Sequence, residues 1–133
     1  MRMKVVSLTA IVVAAFAAPA FAHHSFAMFD AQKTVTLQGT VKELEWTNPH
    51  AWLRVMVDDA KLGRPVLWAL EMSSPGRLTT MGMKADSVHP GDKVSVTFHP
   101  MKDGSRGGQF MQAVLPDGKA VVRANARDEN EEN

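Results

Sequence analysis

The sequence predicts a mainly β protein: a small five-stranded barrel with one short helix between its third and fourth strands, behind a cleaved signal peptide. Three observations carry this. Apolar and polar residues alternate with period two in four separate stretches, the pattern of half-buried strands, and a fifth strand-like run follows them. A Ser-Ser-Pro start followed by a short apolar face interrupts the series once, between the third and fourth stretches. The first 22 residues have the charge and apolar profile of an export signal.

The signal is Met1–Ala22. Arg2 and Lys4 give the positive start, Val5–Phe16 is almost wholly apolar yet too short for an ordinary membrane span, and Ala20-Phe21-Ala22 fits the small-x-small cleavage rule. Its removal leaves 111 of 133 residues with 13 basic against 14 acidic side chains, a net charge of −1. That is enough chain for one core, and the charge balance argues against capture of nucleic acid. With no cysteine, the domain must be held by packing. The address is periplasmic or secreted, with no membrane span after processing.

Residues 23–34 form a leader without clear periodicity, whose Phe26, Met28 and Phe29 should lie against the body. Strand one alternates Val35, Leu37, Gly39 and Val41 against Thr36, Gln38 and Thr40, after which the apolar phase slips to Leu44 and Trp46. A one-residue slip implies a bulge near Lys42-Glu43. Gly39 permits the sharp coiling that closing a small barrel requires. Thr47–His50 is the first turn. Ala51, Leu53, Val55 and Val57 define strand two, and Asp59–Arg64 is a polar hairpin loop.

Val66, Trp68, Leu70 and Met72 define strand three. Ser74 and Pro75 then cap and start a helix of roughly two turns, with Leu78 and Met81 on its apolar face and Gly82 as its stop. A helix that short cannot stand alone, so it must dock on a barrel mouth. His89–Asp92 is a turn, and Val94, Val96 and Phe98 make strand four. Met101–Gly108 reads as a flexible loop, Phe110–Leu115 as strand five, and Ala120–Arg123 as a short added pairing. The barrel domain is therefore residues 35–123, and residues 124–133, ending in an acidic run, read as a disordered tail. This order is that of an OB-like barrel; the rival is another small antiparallel barrel or sandwich.

In the OB order the loops after strands one and four flank the binding face. Trp46, Asn48, His50, Trp52 and Arg54 around the first turn, with Lys102 and Arg106 in the later loop, are therefore the candidate ligand-binding residues. The plainer reading puts Trp46 in the core and uses Trp52 to shield a barrel edge. Two cations are too few for strong phosphate binding, which needs many contacts.

His23 and His24 are the sharpest candidate metal ligands. Cleavage after Ala22 would give His23 the α-amino group, and an amine with an imidazole on one residue is a chelate suited to Cu(II). His50 is the third candidate, because it sits in the presumed binding loop. The bland alternative is that two polar residues simply follow the cleavage site. No HExxH or CxxC spacing is present. The seven methionines of the processed chain are scattered, several of them on core faces. No serine has a nucleophile elbow or a nearby histidine–carboxylate pattern. The reading is a non-enzymatic binding domain for a small ligand or an envelope protein, with copper handling and a structural role in an envelope assembly as alternatives.

The segments HHSFAMFD, VTLQGTVKELEWTNPHAWLRV, SSPGRLTTMGM and HPGDKVSVTFHPMKDGSRGGQF resemble an uncharacterised exported bacterial family, domain of unknown function 6152. The resemblance spans nearly all of the processed chain. It implies export and a single domain, and supplies no catalytic residue.

Overall fold

Val35–Glu45 (β1) is the strand the others are built on, and its length is what lets it serve two partners. Its first half pairs antiparallel with Lys93–Pro100 (β4), and its second half pairs antiparallel with Trp52–Asp59 (β2). Two sequence features allow the change of partner. Gly39 lies so close to β2 that a Cβ there would stand 2.7 Å from the Met56 carbonyl oxygen. Two residues later the register shifts between Val41 and Glu43, the bulge expected from the slip in apolar phase.

β2 continues antiparallel into Arg64–Glu71 (β3), from Asp59↔Arg64 to Trp52↔Glu71. β4 pairs antiparallel with Gly107–Val114 (β5). A parallel pairing of Ala69–Glu71 with Gly107–Gln109 then closes the five strands into a barrel. Ala120–Val122 (β6) adds to the far half of β5. This is the OB order. The computed structural model describes residues 26–122; Met1–Ala22, the segment read as an export signal, together with His23, His24 and the residues from 123 onward, lies outside the described residues.

The helix, Pro75–Thr80 (α1), is short and has defined ends. The Ser74 hydroxyl oxygen accepts from the Arg77 N–H, and Pro75 occupies the first turn. At the other end Gly82 adopts φ +90°. The Gly82 N–H donates to the Thr79 carbonyl and the Met83 N–H donates to the Leu78 carbonyl, both at 3.0 Å, which makes a Schellman stop. The apolar contact that accompanies this motif is present too, since Leu78 and Met83 both lie in the one core cluster at 0% exposure. Burying a leucine side chain fully contributes about 1.5–3 kcal/mol, more than the cap itself.

That core also holds Val41, Leu53, Val55, Leu70, Val94, Val96, Phe98, Phe110 and Val121, the inward set of each strand. Trp68 meets Phe98 with ring centroids 5.5 Å apart. Among the described residues no polar or charged side chain is buried, so the chemistry of this barrel has to be sought on its surface.

The start of β5 differs from the expectation. β5 begins at Gly107, not Phe110, and the loop after β4 is correspondingly shorter. The two glycines are packed, not mobile: a Cβ on Gly108 would stand 2.4 Å from the Phe98 ring, and one on Gly107 would stand 3.0 Å from the Ala69 carbonyl. Small residues here let β5 come close enough to pair with β3. Of the leader's apolar residues, Phe29 lies against the body, buried and bridged to Met101, whereas Met28 is exposed.

Candidate functional site

Strand registers place the outward side chains of β1, β2, β3 and β5 in cross-strand rows. One row runs Glu45, Trp52, Glu71, Gln109, and the next runs Glu43, Arg54, Ala69, Gly107. Residues directly opposite on antiparallel strands have Cβ atoms about 4.5–5.5 Å apart, so Glu45, Trp52 and Glu71 are side-by-side neighbours. Trp52 therefore stands half-buried between two carboxylates, on a face floored by the small residues Ala69 and Gly107.

Arg54 is held by its neighbours. Its Nη1 donates to Glu45 Oε2 at 2.6 Å and to Glu43 Oε2 at 3.3 Å. The bulge makes this possible: it returns Glu43 and Glu45 to the same outer face and sets Glu43 opposite Arg54. In a partly exposed setting such a pair contributes about 0–1 kcal/mol, so its main effect is to fix where the guanidinium and carboxylates lie.

His50 is fixed as well. The loop between β1 and β2 is drawn over the end of β3 by the Ala51 N–H donating to the Ser73 carbonyl and the Met72 N–H donating to the Ala51 carbonyl. Thr47 Oγ1 donates to the His50 carbonyl across the turn, which contains a cis Asn48–Pro49 bond. His50 Nδ1 lies 3.0 Å from the Met72 carbonyl oxygen and 3.7 Å from Glu71 Oε1. A carbonyl only accepts, so Nδ1 carries the hydrogen, and the lone pair of the neutral ring is on Nε2.

The loop between β4 and β5 borders the same face. The Ala69 N–H donates to the Arg106 carbonyl, and the Lys102 N–H donates to the Met28 carbonyl, while both basic side chains are exposed. The loop tip is ordered by Asp103, whose Oδ1 accepts from Ser105 Oγ at 2.6 Å and from the Ser105 N–H at 2.9 Å. The hydroxyl bond first, and then the amide bond, lower the Asp103 pKa below its usual 3.8.

Of the residues singled out by sequence, the structure brings together His50, Trp52, Arg54 and the Arg106 end of the loop. Trp46 packs against the core and so is not part of the outer rows, and Asn48 is exposed in the turn. Sequence reasoning missed Glu43, Glu45 and Glu71 as members of the face. The i, i+2 spacing of the first two was visible, but their partner Arg54 is fixed by a register no local pattern reveals. His23 and His24 lie outside the described residues, and among the described residues no group of three His, Asp or Glu side chains is placed to hold a metal ion.

A hollow lies elsewhere. An open groove of about 790 Å³ runs over the outer side of β1 where it coils, lined by Gln38, Thr40, Met56, Asp58, Lys93 and Val114 among others. Nothing in the sequence marked it.

Fold and face together define a small OB-type barrel with an ordered aromatic and ionic surface beside the loops that follow β1 and β4. The chain belongs to the family of unknown function DUF6152, whose model matches residues 10–111. No curated protein and no solved structure matches it. Among the described residues no helix is long and apolar enough to cross a membrane.

Proposed function

We propose that this protein is an exported, non-catalytic binding domain that takes its ligand or partner on the outer face of β1–β3 around Trp52. The observation that supports this best is the row Glu45–Trp52–Glu71, an accessible indole set between two carboxylates. An aromatic ring held in a polar frame is suited to stack on a flat partner group while its neighbours take hydrogen bonds. The polar groups are already engaged: Arg54 with Glu43 and Glu45, and His50 Nδ1 with the Met72 carbonyl. That commits them to a fixed recognition surface and not to moving protons. OB barrels characteristically bind here, between the loops after strands one and four. Export rests on the Met1–Ala22 segment.

The test is photo-crosslinking from a benzophenone residue at Thr47, in cells of the producing bacterium. The expected result is a discrete adduct that disappears in Trp52→Ala, whose folding should be close to that of the parent because Trp52 is only half-buried. An adduct that persists in Trp52→Ala rejects this face. An adduct that proves to be an envelope protein would identify the domain as part of an assembly.

A periplasmic copper-binding role through His23, His24 and His50 is the alternative, supported by the amine–imidazole chelate that processing would create. Cu(II) titration of the processed protein decides it. Binding tighter than about 1 µM that is lost in His23→Ala supports copper, and weaker or unchanged binding removes it.

A further inference from the structure

The β1–β2 ladder stops early. Its last rung is Thr40↔Met56, and a continuing register would pair Gly39 with Val57 and Gln38 with Asp58. Instead β1 swings away: Val35–Gly39 pair with β4 alone, and Val57–Asp59 pair with β3 alone. The two strands form a fork, and the groove of about 790 Å³ reaches across β1 from the β4–β5 side into it, where Gln38, Met56 and Asp58 line it.

The direction of the main-chain groups in the fork follows from strand geometry. The Val41 N–H donates to the Asp92 carbonyl, and the Val41 carbonyl accepts from the Gly91 N–H, so Val41 faces the β4 side. Alternate residues of a strand turn their N–H and C=O groups to the same side. Leu37 and Gly39 therefore face β4, while Thr36 and Gln38 face the fork. On β2, Met56 faces β1 at the last rung, so Asp58 also faces the fork. The fork thus presents a row of strand-edge donors and acceptors in a groove, the arrangement that pairs with an added strand.

We propose that this fork is a docking site for an extended polypeptide segment that adds to the Thr36–Gln38 edge of β1. Main-chain groups on a strand edge are satisfied by another main chain, which selects a peptide over a compact small molecule. The side chains specify its character. Asp58 lines the groove with an exposed carboxylate, while Asp92 Oδ2 accepts from the His89 N–H at 2.8 Å and the Lys93 ammonium donates to Thr40 Oγ1 at 2.6 Å. Met56 and Val114 add apolar surface. The matching segment carries a basic residue beside apolar ones. The site is separate from Trp52 and does not depend on the reading of that face.

Two measurements test it. Amide exchange on the free protein comes first: the Gln38 and Asp58 N–H groups should exchange at least about 100-fold faster than those of Leu37 and Gly39. Equal protection would mean the edges are closed, and the proposal would be wrong. Next, a phage-displayed library of random peptides, about twelve residues long, is selected on the processed protein, and the enriched peptides are synthesised. They should carry a basic residue, should protect the Gln38 amide, and should bind about tenfold or more weakly to Asp58→Lys and to Gln38→Pro, with Trp52→Ala unchanged. Asp58→Lys is at an exposed position and keeps the test valid if Gln38→Pro fails to fold. No enrichment, or enriched peptides insensitive to Asp58→Lys, would overturn the proposal.

Discussion

Replacing Gly108 by alanine should be among the most damaging single-methyl changes in this protein. The new Cβ would stand 2.4 Å from Phe98 Cδ2 and 2.5 Å from the His99 carbonyl oxygen. Neither neighbour can give way easily. Phe98 is fully buried and packed against Trp68, and the His99 carbonyl belongs to the β4 backbone paired with β5. Overpacking a core typically costs about 1–3 kcal/mol, and two contacts this short, one of them to backbone, put the expected loss near about 3 kcal/mol. For a domain of this size that corresponds to a fall in melting temperature of about 12–24 °C. Urea unfolding of wild type and Gly108→Ala gives the difference directly. Adding Phe98→Leu should recover part of the loss, because it removes the ring but not the carbonyl. Gly76→Ala is the matched control: it is in the first turn of α1 with nothing within 4 Å of the new methyl, and it should stabilise by about 0.4–1 kcal/mol. A Gly108→Ala cost below about 1 kcal/mol, or no difference in sign between the two glycines, would refute this account of how β5 reaches β4 and β3.

Leu78→Ala should cost about 2–5 kcal/mol in the same assay, since it removes the buried anchor that docks a helix too short to persist alone. Arg54→Met should cost only about 0.5–1 kcal/mol at low salt, with little difference remaining at high salt, because Glu43 and Glu45 lose a partly exposed counter-charge. Asp103 has its pKa lowered in the folded protein, so its loop contribution is complete above the ordinary carboxylate value of 3.8 and is lost as the pH falls through the lowered value. The Ser105 amide proton shift should accordingly titrate with a midpoint below 3.8, and Asp103→Asn should abolish that titration.

Much of the barrel was legible because its signals are local. The slip from Val41 to Leu44 marks the bulge, since the side-chain period of a strand admits no other cause for a change of face. Ser74, Pro75 and Gly82 delimit α1 because caps are made by the residues next to the helix ends. Gly107 and Gly108 were misread as loop for a matching reason. Glycine pairs usually signal flexibility, and only the positions of Phe98 and Ala69, distant in sequence, show that these two are small in order to pack.

The sequence by itself determined the order of strands and helix, the inward set of each strand, and the residues clustered near the loops after β1 and β4. The tertiary structure alone decided which of those residues meet. Closure of β3 on β5, the grip of Glu43 and Glu45 on Arg54, the anchoring of His50 to Met72, and the fork beside Gln38 and Asp58 all depend on registers between separate strands. A strand's pattern states which face each side chain takes, but the pairing that sets one strand beside another is a property of the whole barrel, chosen by how its core packs.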